Sequence, residues 1–114
     1  MSADRGKELQ RALARYLTRW WPNAESQPNG RPGVDILGTP GVAWESKTAN
    51  TFRPVAFCKQ ARGHNGGLPV VVYWPRGIGE QSADVALAIV PLGLMMDVLV
   101  EAGYAPAPKE EGEQ

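Results

Sequence analysis

Asp35, Glu45 and Lys47 fall within "GVDILGTPGVAWESKT", residues 33–48, a stretch otherwise rich in residues that favour buried strands. Two carboxylates and an ammonium in such a place have two readings. In one they are solvated cross-strand pairs, the commoner fate of charges on strands. In the other they share a cleft. Carboxylates held side by side repel one another unless a cation lies between them, and all-oxygen ligation suits Mg²⁺ or Mn²⁺. A lysine beside them would orient or help deprotonate a water and stabilise charge building on a phosphate. That set is suited to phosphodiester hydrolysis.

Strand alternation places Glu45 and Lys47 of "VAWESKT" on one face, roughly 7 Å apart, with Val42, Trp44 and Ser46 on the other. The position of Asp35 depends on the turn. A three-residue loop, Thr39-Pro40-Gly41, sets Asp35 directly opposite Glu45. A two-residue Pro40-Gly41 turn sends Asp35 to the other face unless a bulge intervenes.

The elements that must hold these residues follow from periodicity. Leu9, Leu13, Tyr16, Leu17 and Trp20 recur at helical spacing and predict a first helix over residues 4–20, stopped by Pro22. Glu8, Arg11, Arg15 and Arg19 form a charged row along it, which reads as a solvated face. A short edge strand precedes "VDILG" and "VAWESKT", two strands joined by a tight turn. "FRPVAFCKQARGHNGG" predicts a second helix with Pro54 in its first turn. "LPVVVYWP" predicts a buried central strand and "VALAIV" another. "PLGLMMDVLVEAG" predicts a third helix with Leu92, Met95, Met96, Leu99 and Val100 turned inward. The sum is a mixed-sheet α/β sandwich, in which strands linked through a helix run parallel.

Composition bounds the rest. A chain of 114 residues, 43% hydrophobic and 21% charged, fits one globular domain. Lys plus Arg equals Asp plus Glu at 12 each, so net charge gives no sign of a polyanionic partner. The single cysteine, Cys58, excludes an internal disulfide and a cysteine-rich zinc site. The lone His64 gives no basis for a histidine metal site or a Ser–His relay. No signal-peptide pattern or membrane span is present, so the expectation is a cytoplasmic protein without a membrane partner.

The spacing of Asp35 in "PGVDILG" and of Glu45 and Lys47 in "WESKT" resembles the PD-(D/E)XK nuclease superfamily. There an acidic residue opens the hairpin and E-x-K follows on the next strand. The likeness is closest to short archaeal-type Holliday junction resolvases and related phage nucleases, and it spans about residues 4–90. It implies a restriction-endonuclease-like fold, a mixed β-sheet flanked by helices in the order α-β-β-β-α-β-β-α. One such domain would occupy residues 1–104, followed by a flexible acidic tail over 105–114.

The resemblance implies a Mg²⁺- or Mn²⁺-dependent endodeoxyribonuclease acting on branched or duplex DNA, without a nucleotide cofactor. Asp35 and Glu45 would bind the metal, joined by Glu8 of "GKELQRAL", while Lys47 and Gln60 of "FCKQARG" position the attacking water. Arg11, Arg15, Arg31, Lys59 and Arg62 are the candidate DNA contacts. Symmetric cleavage of a junction needs two active sites, hence a homodimer. A phage-encoded enzyme of this kind would act in the host cytoplasm. Two departures stand out: Pro32 lies three residues before Asp35 rather than next to it, and the chain is not basic. The alternative is a catalytically silent DNA-binding or partner-recruiting module on the same fold.

Overall fold

The computed structural model describes residues 2–28, 34–48, 53–62 and 67–108, with the backbone alone for 2–4, 58 and 60–62. In chain order come α1 (Ser2–Leu17), β1 (Glu25–Ser26), β2 (Ile36–Leu37), β3 (Val42–Thr48), α2 (Pro54–Arg62) and β4 (Leu68–Trp74). A 3₁₀ helix (Glu80–Val85), β5 (Leu87–Ile89) and α3 (Leu92–Glu101) complete it. Helices and strands follow the expected order, with the 3₁₀ turn added. The architecture is α/β with a mixed three-stranded sheet.

α1 forms because Leu9, Leu13 and Leu17 recur on one face, and all three are buried together with Ala12 and Ala14. It stops at Leu17, where a tighter turn carries Trp20 N–H back to Leu17 O at 3.0 Å. Trp20 was expected in the buried stripe. Beyond the helix end it is instead 58% exposed, while Trp21 turns edge-on to Trp44 at 6.2 Å.

β4 is the central strand, as its continuous apolar run requires: Val70, Val71, Val72 and Trp74 are all buried. β3 pairs with it in parallel from Val42↔Leu68 to Thr48↔Trp74, and α2 makes the crossover that parallel pairing demands. β5 closes the sheet antiparallel, Val71 opposite Ile89. Alternation then sorts the two faces. Val72 and Trp74 join Leu9, Leu13 and Leu17 of α1 in one core. Glu45, opposite Val71, faces the other way, towards α2.

Two expectations are corrected. "VDILG" and "VAWESKT" do not form one regular hairpin. β2 is reduced to Ile36–Leu37 and pairs with β1, as a separate two-stranded ribbon beside β3. α3 does not bury the expected apolar face: Met95, Leu99 and Val100 are half-buried, Leu92 and Met96 are 74% and 43% exposed, and the helix contains no buried residue. Leu94 too is only half-buried, so helical spacing alone did not make a core. The expected tail has no regular structure over 105–108, and 109–114 lie outside the described residues. Among the described residues, no helix is long and apolar enough to cross a membrane.

Candidate active site

The turn between β2 and β3 is the two-residue one. Val42 N–H donates to Thr39 O at 3.1 Å around Pro40 and Gly41, and Gly41 has φ 89°, as a type II turn requires. Regular pairing from that turn would put Asp35 on the wrong face. The pairing is not regular. Gly38, at φ 83°, turns the chain away, and a Cβ there would lie 2.2 Å from Asn23 O, so only glycine fits.

Asp35 consequently meets β3 at its open edge. Its N–H donates to Trp44 O at 3.0 Å, and its Oδ2 accepts from Ser46 N–H at 2.8 Å. A carboxylate oxygen stands where a neighbouring strand would offer a carbonyl, which puts it near the plane of the sheet. From that edge Asp35 reaches Glu45 and hydrogen-bonds to its carboxyl group. The expected juxtaposition is present, by a route other than direct opposition across a hairpin.

Glu45 is 1% exposed. Burial raises its pKa most, the charge of Asp35 adds to this, Lys47 opposes it, and the hydrogen bond to Asp35 raises it again, to about 7. Lys47 Nζ lies 3.8 Å from Glu45 Oε2 and 5.2 Å from the centre of the Phe57 ring on α2. Two acids and one base therefore occupy one corner, where β3's edge meets α2. Burial beside a second acid thus makes the ionised form of Glu45 costly unless a positive charge joins it.

Asp35 is held from behind by a residue the sequence did not single out. Gln10 Nε2 donates to Asp35 O and to Ser26 Oγ, both at 2.9 Å, and approaches Gln27 O at 3.3 Å. Gln27 N–H also donates to Asp35 O, at 2.8 Å, and Lys7 bonds Gln27 O. A glutamine beside an apolar helical stripe carries no signal of such a role; its partners are distant in sequence. Ser46, behind the edge, accepts at Oγ from Trp74 Nε1 at 3.0 Å.

Glu8 is not gathered with the pair. It is exposed, and the turn of the helix sets it about 160° around the axis from Gln10, the residue that touches Asp35. Among the described residues, no three His, Cys, Asp or Glu side chains are placed to hold a metal ion. Arg11 and Arg15 are exposed on the outer face of α1, with the sheet between them and Glu45's face. Arg15 pairs with Glu80 at 3.3 Å, across a cleft of about 400 Å³ whose Arg15 and Arg19 are balanced by Glu80 and Asp84. That cleft is no track for a polyanion.

Lys59 is exposed on α2, the helix that packs against the site's face. Gln60 and Arg62 lie on the same helix with side chains outside the described residues, and Arg31 lies outside them altogether. No protein-family model, curated protein or solved structure matches this chain.

Proposed function

We infer that the chain is a metal-dependent DNA endonuclease on a restriction-endonuclease-like scaffold, cutting phosphodiester bonds of branched or duplex DNA. One observation carries this reading: a buried glutamate hydrogen-bonded to an aspartate, with a lysine ammonium 3.8 Å away, at an open strand edge. The donor set fits a hard divalent cation. Mg²⁺ is commonly held by one or two carboxylates, with water and phosphate oxygens completing its shell. Asp35 and Glu45 would hold Mg²⁺ or Mn²⁺ here, and the ion supplies Lewis acidity to the scissile phosphate.

The chain's own residues do the rest. Ser46 N–H holds the carboxylate of Asp35 and Gln10 its carbonyl, so the carboxylate stays beside Glu45. Lys47 places a positive charge where negative charge gathers on the phosphate, and orients the attacking water. Gln60 is assigned to the same water by the family likeness. Water adds to phosphorus, the bond to the 3′ oxygen breaks, and a 5′-phosphate and a 3′-hydroxyl result. Lys59, exposed on α2, is the cation proposed to meet the DNA backbone beside this corner. Symmetric cutting of a junction would need two such sites.

The test is incubation of labelled duplex and four-way junction with Mg²⁺, with Mn²⁺ and with EDTA. Metal-dependent cutting that Glu45→Ala and Lys47→Ala each abolish supports the enzyme. Binding without cutting under every condition identifies a recruiting module instead.

A further inference from the structure

We propose that Phe57 on α2 is the positioning residue for Lys47: its ring face holds the ammonium beside the acid pair. That Lys47 then acts on a phosphate rests on the nuclease reading; that Phe57 places it does not.

Lys47 needs such a holder. Its ammonium is a compact charge on a flexible four-carbon stem, whose rotamers must be restricted before it can serve one direction. The side chain shares Glu45's face of β3 and is 25% exposed. Glu45 does not fix it. At 3.8 Å from Oε2 the contact is an ion pair without a hydrogen bond, which sets a distance but no direction. Among the described residues, the other contact of the ammonium is the Phe57 ring, with Nζ over it and 5.2 Å from its centre. That is within the range at which a ring quadrupole attracts a cation.

α2 presents this ring by its own periodicity. Pro54 and Phe57, three positions apart, share a face and are half-buried, whereas Val55, Ala56 and Lys59 are exposed. Phe57 N–H donates to Arg53 O at 3.0 Å, which seats the residue in the first turn of the helix. As the crossover between β3 and β4, α2 is tied to the sheet at both ends.

An aromatic partner has a chemical consequence. A carboxylate in place of the ring would hold Lys47 more tightly and cancel its charge. A leucine would cover the stem and leave the ammonium desolvated without compensation. A ring face attracts the cation yet carries no net charge, so Lys47 keeps its own for a water or an oxyanion.

Phe57→Leu and Phe57→Tyr in the full chain test this, read in two ways. In NMR of ¹³C-lysine-labelled protein, with Lys47→Met assigning the signal, the Lys47 ε-methylene protons lie upfield of those of Lys7, Lys59 and Lys109. The ring current of Phe57 is the cause. Phe57→Leu returns them to the ordinary lysine position, and Phe57→Tyr restores the shift. In Mg²⁺-dependent cleavage, Phe57→Leu lowers kcat about tenfold, as for one partly desolvated cation–π contact, with KM and Mn²⁺ affinity unmoved. A residue that merely supports the fold would move all three. Phe57→Tyr recovers the rate. An unshifted Lys47 ε-methylene in the wild type overturns the proposal, and so does a shift or a kcat that survives Phe57→Leu intact. A wild-type chain that cuts no DNA defeats the nuclease reading alone, and the NMR shift still decides whether Phe57 places Lys47.

Discussion

Gln10 and Asp35, 25 positions apart, are joined by a 2.9 Å hydrogen bond from the Gln10 side-chain amide to the Asp35 backbone carbonyl. The same amide reaches Ser26, so one side chain ties α1 to β1 and to the residue that leads into β2. Asp35 is thereby held by its N–H, its carbonyl and its carboxylate at once. Such a clamp pre-sets the carboxylate before any ligand arrives, and removes the ordering cost from binding.

Gln10→Ala should therefore cost more at the site than in the fold. The lost bonds amount to about 1–2 kcal/mol of stability, as for neutral hydrogen bonds. Mn²⁺ affinity and cleavage rate should fall together, because Asp35 is no longer fixed. Denaturant unfolding and calorimetric Mn²⁺ titration on the same variant read the two effects. Unchanged Mn²⁺ binding beside lowered stability would reduce Gln10 to a structural strut.

The acid pair predicts a pH dependence of definite sign. Glu45 binds its proton more tightly folded than unfolded, its pKa rising from 4.5 to about 7. Between those values the native state holds the extra proton, so stability is full below the lower one and falls as pH climbs through the upper. The loss is on the order of 3 kcal/mol if the whole difference is expressed. Glu45→Gln, which is neutral throughout, should melt higher than wild type above neutrality in chelator and lose the slope. A wild-type melting temperature that climbs through neutrality relative to the glutamine variant would contradict the burial and pairing of Glu45.

Divalent cations should reverse that slope. On the proposed reading Mn²⁺ would compete with the Glu45 proton, so its stabilising effect should grow as pH rises and vanish in Asp35→Asn. Thermal melts with and without Mn²⁺, either side of neutrality, measure it directly. Equal stabilisation at acid and alkaline pH would place Mn²⁺ elsewhere on the chain.

Lys47→Met keeps the length of the stem while removing the charge. Lys47 is the influence that lowers the Glu45 pKa, so its loss should move the Glu45 titration further up, visible by carboxyl ¹³C NMR. Cleavage should drop by about 10²–10³-fold, as when one preorganised donor is removed from a catalytic site. The fold should survive, since the side chain is 25% exposed. Retained activity would deny Lys47 any part in the chemistry.

Gly38→Ala tests how Asp35 arrives. A Cβ would meet Asn23 O at 2.2 Å, on a backbone at φ 83° that alanine disfavours. A loss of about 1–3 kcal/mol is expected, together with weakened Mn²⁺ binding, because the bend that steers Asp35 to the edge is disturbed. Chemical denaturation and Mn²⁺ titration would show both.

Much of the scaffold was legible locally. Leu9, Leu13 and Leu17 announced the buried face of α1, the run "LPVVVYW" announced the central strand, and Pro54 marked the start of α2. The type and spacing of Asp35, Glu45 and Lys47 announced a shared site. The route by which Asp35 reaches Glu45 was not legible, because it needs Gly38 packed against Asn23, Gln10 on another element and an edge left open by β3. Glu8 was singled out in the sequence and Gln10 was not; only the turn of α1 sets Gln10 against Asp35 and leaves Glu8 facing water.

Sequence by itself determined the order of helices and strands and the chemical kind of the central cluster. Period and residue type act between near neighbours, through backbone sterics and side-chain spacing that any fold must respect. Tertiary structure alone decided that β2 leaves β3 for β1, that Asp35 enters from the edge, and that α3 contains no buried residue. Register and burial depend on which distant surface arrives to pack, and that partner is absent from the local pattern. The same apolar spacing buried Leu13 under the sheet and left Leu92 in solvent.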